Sequence, residues 1–340
     1  MGIEPTANSL KGYCSTTELL TPAKPRYFNF PKIKVKFLRF CRAEIKLRAM
    51  DILQKIVAHK KIEVENLPKI SVVKFETRDF AGNLKNENLN LIAEIKPRSP
   101  RGVNFQNLEI SKIAARFEKS GARAISVLCD SKFFGGSFEN LKLAKTATKK
   151  TPILAKDFFI DERQISLARN CGADAILLIA RILSEKKLQK LANFAHAKNL
   201  QILIEIFDDA DLKKIENLNS DAIGVNFRNL KNFQIEFARG FEILKKLPPQ
   251  VCKIAMSGFR GAEIKILKSP ADAVLIGGEI CKNLNKNFEQ KIEKRIGGIL
   301  SPKKLLKICG VRDAEIAEFC EKNEVHFCGF NFCENSKRKI

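Results

Sequence analysis

The sequence predicts an α/β fold: a (β/α)8 barrel of the TIM type, with an extra helix ahead of it and a βαβ fragment behind it. Three observations carry that expectation. Short apolar runs alternate with helix-period segments from residue 89 onward, eight such runs pass before the beat changes, and no Gly-x-Gly-x-x-Gly follows the first run. Alternation of this kind means parallel strands joined by crossover helices. Eight units suit a closed barrel, and the absent glycine fingerprint argues against a doubly wound sheet.

Residues 1–49 hold several Pro and a basic patch, Lys32-Ile-Lys-Val-Lys-Phe-Leu-Arg39, without sustained periodicity, so a poorly ordered extension is expected there. Met50 reads as the beginning of the fold. Its Pro residues and early Glu4 disfavour a targeting peptide as the reading of this basic leader, and an upstream start codon would also account for it. From Met50 to Glu63 the spacing predicts a helix that could cap the barrel.

The expected strands are Leu89 to Ile95, Ala124 to Leu128, Ile153 to Ala155, Ala175 to Ile179, Ile202 to Ile206, Ala222 to Val225, Lys253 to Met256 and Ala273 to Ile276. Between them, segments such as Ile110 to Phe117 and Leu188 to Ala195 place apolar residues at helical spacing. The barrel module is therefore placed at residues 50–298. A further strand at Leu305 to Val311, a helix at Asp313 to Asn323 and a strand at His326 to Phe332 make one βαβ unit within 299–340.

Composition narrows the function. No apolar segment is long enough to span a membrane and no secretory signal opens the chain, so a soluble cytoplasmic protein is expected. The ten Cys include no C-x-x-C pair and only three His accompany them, which points away from a metal site and from a disulfide framework. The net charge of +23 is spread over nearly every expected helix, with no Arg-rich block and no interleaved aromatics. A nucleic-acid-binding protein is thus the least favoured class, and its test is salt-sensitive oligonucleotide binding.

Barrels of this architecture react at the C-terminal ends of their strands, and here those ends are polar. Strand one ends in Glu94 and Lys96, strand three in Lys156-Asp157, strand five in Glu205, strand six in Asn226 and Arg228, strand seven in Ser257-Gly258 and strand eight in Gly277-Gly278. Glu94 and Lys96, two residues apart, leave the same side of their strand. On their own they would pass for a structural ion pair. Polar residues at the same end of six units outweigh that reading, because unpaired charge near a core is expensive. The glycines after strands seven and eight would let backbone N–H groups approach an anion, with Arg228 to assist, which favours a phosphorylated small-molecule substrate.

Four segments, Ile92-Ala-Glu-Ile-Lys-Pro-Arg-Ser-Pro100, Ile125-Ser-Val-Leu with Phe133-Phe-Gly-Gly-Ser-Phe-Glu139, Pro152-Ile-Leu-Ala-Lys-Asp-Phe158 and Ile223-Gly-Val-Asn-Phe-Arg-Asn-Leu230, resemble the indole-3-glycerol phosphate synthases. That family closes the indole ring of 1-(2-carboxyphenylamino)-1-deoxyribulose 5-phosphate, losing carbon dioxide and water, with no metal and no cofactor. The resemblance implies that Lys156 is the general acid, Glu205 a general base or proton relay, and Glu94 its partner in dehydration. Lys96 would hold the anthranilate carboxylate. Asn226 would orient the substrate hydroxyls, and Ser99 and Ser257 would line the substrate. Arg228, Gly258, Gly277 and Gly278 would hold the phosphate, and Phe134 and Phe158 would wall the aromatic ring. Where the family usually has Glu before Ser257-Gly258, this chain has Met256. That departure leaves a second reading open, a degenerate barrel that binds phosphorylated ligands with little turnover. Lys307-Ile-Cys-Gly310 and Phe330-Asn-Phe-Cys-Glu-Asn-Ser-Lys-Arg338 resemble the first βαβ unit of phosphoribosylanthranilate isomerase, with Cys309 as a vestigial general base. The isomerase's acid would lie beyond residue 340, so no isomerase activity is expected.

Overall fold

The structure, a computed structural model, describes residues 52–68, 74–85, 89–98, 109–229, 234–259, 270–277, 307–309 and 327–329. Helix α1 (Ile52–Glu65) and the single-turn α2 (Phe80–Asn83) precede β1 (Asn90–Ile95). There follow α3 (Ile110–Lys119), β2 (Ala124–Leu128), α4 (Phe138–Ala147), β3 (Ile153–Lys156), α5 (Glu162–Asn170) and β4 (Ala175–Ile179). Next come α6 (Glu185–Ala197), β5 (Gln201–Ile206), α7 (Asp209–Lys214), β6 (Ala222–Asn226), α8 (Phe237–Lys246), β7 (Cys252–Met256) and β8 (Ala273–Ile276). The eight strands close in sequence order into one parallel barrel. Closure is made by β8 lying beside β1, with Asn90 opposite Ala273 and Ala93 opposite Ile276.

Each of the eight expected barrel strands is present, shifted by at most one residue at an end. The runs are legible because a strand of a parallel barrel is buried on both faces. Alternate residues divide between two cores. Ile92, Leu154, Leu177, Leu203, Ile254 and Leu275 fill the barrel, while Ile125, Ile153, Ile176, Ile204 and Val274 pack outward under the helices. The helices begin where short polar side chains take up their first N–H groups: Ser137 for α4, Asp161 with a capping box through Gln164 for α5, Ser184 for α6 and Asp208 for α7.

The helix that closes the barrel is not the one the spacing offers. Phe80, Ala81 and Leu84 belong to the interior cluster, so α2 plugs the N-terminal end of the barrel. Gln201 of β5 accepts from the N–H groups of Phe80 and Ala81, and Asn90 of β1 donates to Leu84 O at 2.9 Å. The preceding residues are tied down by buried Asp174, which accepts from Arg78 N at 2.7 Å, Ile153 N at 2.8 Å and Lys145 Nζ at 2.6 Å. Helix α1 is fastened at the opposite end, where its fully buried Lys60 meets Asp130 after β2 and Asp157 after β3.

Two further strands, β9 (Lys307–Cys309) and β10 (Phe327–Gly329), pair in parallel as a separate two-stranded sheet, as a βαβ unit requires. The helix expected at Asp313 to Asn323, the extension at 1–49 and most of 278–340 lie outside the described residues.

Because Phe80 is fully buried in the plug, Phe80→Ala should lower the unfolding free energy by about 3–5 kcal/mol, read as a lower urea midpoint with unchanged slope. A loss under 1 kcal/mol, on the order of a surface change, would show that the plug is dispensable.

Candidate active site

Period-two alternation places Glu94 inside the barrel two residues above Ile92, near the C-terminal end of β1. The residue is 4% exposed, yet it carries the centre of a charge cluster. Lys96 Nζ donates to Glu94 Oε1 at 2.9 Å, and Lys156 Nζ, from the end of β3, stands 3.9 Å from Oε2. Burial alone would push the Glu94 carboxyl up, but the two ammonium groups outweigh it and hold the carboxyl below its ordinary range. Both lysines remain about a fifth exposed, open to a ligand at the mouth.

Gly277, just after β8, makes that cluster possible. A Cβ there would collide with the Glu94 carboxylate, so the glycine expected to hold phosphate also clears the space that Glu94 occupies. This role was not legible from spacing, because the contact crosses the closure between β8 and β1.

A second polar pair stands on neighbouring strands. Glu205 of β5 is 5% exposed and accepts from Asn226 Nδ2 of β6 at 2.9 Å, while Asn226 Oδ1 accepts from Arg228 N at 2.9 Å. Both ends of the Asn226 amide are thereby fixed. Met256 lies beside Asn226 in register on β7 and is 2% exposed among the interior apolar residues. Its Sδ occupies the space that a Cβ on Gly224 would need. The thioether fills that slot, and it brings no group able to donate or ionise.

The rim beyond β7 turns sharply. Ser257 and Gly258 have φ of 70° and 86°, two successive left-handed residues, and the first is not glycine. Such backbone is uncommon for Ser and gathers at ligand-binding turns. Gly258 packs against Ile235, which bridges Arg228, so this turn and the end of β6 form one rim. Ser99 and Gly278 lie outside the described residues, and Cys309 is the last residue of β9.

On the other side, Phe134 and Phe158 face each other with ring centroids 6.0 Å apart, and Phe158 packs on the barrel's interior cluster. Asp130 Oδ1 accepts from Phe133 N at 2.6 Å and Phe134 N at 3.0 Å, and Arg98 N donates to Phe134 O at 2.9 Å. Phe158 N donates to Asp157 Oδ1 at 2.7 Å. Asp157 is next to Lys156 in the chain and so points to the opposite side of β3, away from the mouth. Burial raises its carboxyl to about 6, against the pull of Lys60.

Neither Asp130 nor Lys60 was among the expected functional residues. A signal existed for Lys60. The buried residues of α1 are Ile56, Lys60 and Val64, at four-residue spacing, so a lysine stands on the apolar face. Ser126 is a second buried polar residue that spacing passed over. It pairs in register with Glu94, and its Oγ finds no hydrogen-bond partner.

Comparison with known proteins fits this geometry. Residues 53–294 match the family model for indole-3-glycerol phosphate synthase. An indole-3-glycerol phosphate synthase of Staphylococcus haemolyticus is 43% identical over 199 residues, covering 58% of this chain and 76% of that protein. One from Staphylococcus aureus is 38% identical over 258 residues, covering 72% of this chain and 99% of that protein. A tryptophan biosynthesis protein TrpCF of Buchnera aphidicola subsp. Schlechtendalia chinensis is 34% identical over 298 residues, covering 85% of this chain and 63% of that protein. Among solved structures, the tryptophan synthase alpha subunit of Legionella pneumophila superposes with a TM-score of 0.51 at 12% identity, covering 66% of this chain and 97% of that one, a likeness of fold.

The lowered Glu94 carboxyl makes a stability prediction. A group whose folded pKa lies below its unfolded one stabilises above the unfolded value, and that contribution is lost as pH falls through the folded value. Glu94→Gln should therefore be less stable than the parent chain in urea at about pH 7, and the gap should close in acid below about pH 4. An equal gap at both pH values would mean that Glu94 is not held ionised by its lysines.

Proposed function

The chain belongs to the indole-3-glycerol phosphate synthase family, and on that premise we propose how its side chains divide the reaction. The substrate is 1-(2-carboxyphenylamino)-1-deoxyribulose 5-phosphate, and the products are indole-3-glycerol phosphate, carbon dioxide and water. The observation that carries the assignment is the Lys96–Glu94–Lys156 cluster at the barrel mouth.

Lys156 protonates the ribulose carbonyl oxygen as the carboxylate-bearing ring carbon attacks the carbonyl carbon. A carbon–carbon bond forms, and the carbonyl π pair becomes the new hydroxyl. Lys96 holds the anthranilate carboxylate until it leaves as carbon dioxide, returning its bonding pair to the ring. The hydroxyl then departs as water on a proton from a lysine of the cluster, and Glu205 takes the proton released from the adjacent carbon. Glu94 keeps the two ammonium groups close and serves as the partner of Glu205 in this dehydration. Acid is needed twice and base once, which a set of paired Lys and Glu can supply near neutral pH.

Asn226, fixed between Glu205 and Arg228 N, is suited to orient the substrate hydroxyls. The turn at Ser257-Gly258, with Arg228, Gly277 and Gly278, would take the phosphate, and Ser99 would stand beside it. Phe134 and Phe158 would wall the aromatic ring. The segment at 299–340 corresponds in this reading to the opening βαβ unit of phosphoribosylanthranilate isomerase, with Cys309 where that enzyme has its base. The parallel β9–β10 pair and the long alignment with the TrpCF protein support it. One βαβ unit does not close a barrel by itself.

The expected assay result is indole fluorescence when the full chain is given the carboxyphenylamino-deoxyribulose phosphate, with Lys156→Met lowering kcat by about 10²–10⁴ at little change in KM. Binding without fluorescence by the parent chain would sink the assignment and leave the phosphate-binding barrel.

Met256 is the observation that favours that second reading. Met256→Glu restores a carboxylate of similar length over Gly224, and kcat should rise about tenfold with KM held within about threefold. Unchanged turnover would show that the thioether serves as well as a carboxylate there.

A further inference from the structure

We infer that Lys60 is a positioning residue for the aromatic end of the substrate. The buried cluster of Lys60, Asp130 and Asp157 sets Phe134 and Phe158, and so fixes the wall against which the anthranilate ring lies. The inference rests on the reading that those two rings form that wall.

Lys60 and Asp130 are fully buried and Asp157 is 2% exposed, so three charged groups have left water together. Lys60 Nζ lies 2.8 Å from Asp157 Oδ1, 3.1 Å from Asp130 Oδ2 and 2.9 Å from Glu63 Oε1. Each aspartate then turns to one aromatic residue. Asp130 Oδ1 takes the N–H of Phe134 together with that of Phe133, and Asp157 Oδ1 takes the N–H of Phe158. One ammonium thus fixes both backbone positions from which the wall is hung. Asp130 Oδ2 accepts no hydrogen bond and is balanced by the Lys60 ion pair.

Anchoring α1 does not require this arrangement. Ile56 and Val64 already bury the same helix face, and an apolar residue between them would dock it without desolvating three charges. What an apolar residue could not do is orient two carboxylates toward two particular N–H groups. The cluster also sits just behind the general acid, since Asp157 follows Lys156 on the outward side of β3. Helix α1 therefore reaches the substrate pocket through two relays, one hydrogen-bonded by way of Asp157 and one ion-paired by way of Asp130.

The test is a double-mutant cycle in the full chain, reading kcat and KM for ring closure. Lys60→Met should raise KM about tenfold and change kcat less than about threefold, because Lys156, Glu94 and Glu205 are untouched. Phe134→Ala and Phe158→Ala should each raise KM as well. In either Phe→Ala background, Lys60→Met should raise KM by less than it does alone, since one of the two rings it positions is already lost. A full multiplicative effect in both backgrounds, or no effect of Lys60→Met on KM, overturns the inference while leaving the wall intact. Silence of both Phe→Ala changes overturns the wall reading itself, and the inference with it. If Lys60→Met does not fold, Asp130→Asn replaces it, keeping an oxygen for the two N–H groups while removing the charge that answers Lys60. Coupling of that change to Phe134→Ala in KM supports the inference, and additivity overturns it.

Discussion

The closure of β8 onto β1 is the constraint on which both the fold and the site depend. Setting Ala93 opposite Ile276 completes the parallel ladder, and it also brings Gly277 against Glu94. A larger residue at 277 would push the carboxylate out of the space between Lys96 and Lys156. The barrel's last hydrogen-bonded seam and its central charge cluster are therefore one structural event. This explains why a carboxylate that is almost fully buried stays ionised. It is held where two ammonium groups converge, and the backbone on its third side has no side chain to exclude it.

On strand β3 the two sides of one strand bear on the same end of the barrel. Lys156 enters the mouth and Asp157 leaves it, yet Asp157 returns to the pocket through the N–H of Phe158. The inward residue would supply chemistry and the outward residue would supply position. Such division is natural where strands end, because the ladder no longer takes up every N–H and a side chain must do so instead. It also draws in a helix from outside the barrel repeat, since the outward carboxylate needs a cation and α1 provides one.

Much of this was legible in the sequence. The eight strands could be read because each is an apolar run bounded by polar residues, and Glu94, Lys156, Glu205 and Asn226 could be read because they stand where those runs end. The plug at Phe80 to Asn83 escaped because four residues make one turn, too short for a helical period to show. Its role comes from Gln201 and Asn90, both far away in the chain or on another element. Lys60 escaped for a different reason. A lysine in a helix ordinarily points to water, and only the aspartates after β2 and β3, some 70 and 97 residues on, reverse that expectation. At Gly277 the expected phosphate turn hid a second, steric role beside Glu94.

Met256 is best understood with Gly224 and Glu205 together. Glu205 pairs in register with Gly224, and Met256 with Asn226, so the four residues form one patch of the barrel interior. The glycine leaves a slot, and the residue at 256 fills it. A carboxylate there would stand near Glu205 and would need a cation to share, while a thioether imposes no such demand. Substitution by Met thus removes a hydrogen-bonding group and a like charge at once. The carboxylates that remain at the mouth among the described residues are Glu94, paired with Lys96 and Lys156, and Glu205, which accepts from Asn226. With the balance that narrow, the Glu94 carboxylate becomes the principal partner of both ammonium groups. On the proposed division of roles, the chemistry of this barrel would then rest more heavily on the β8–β1 seam than it would with Glu at position 256.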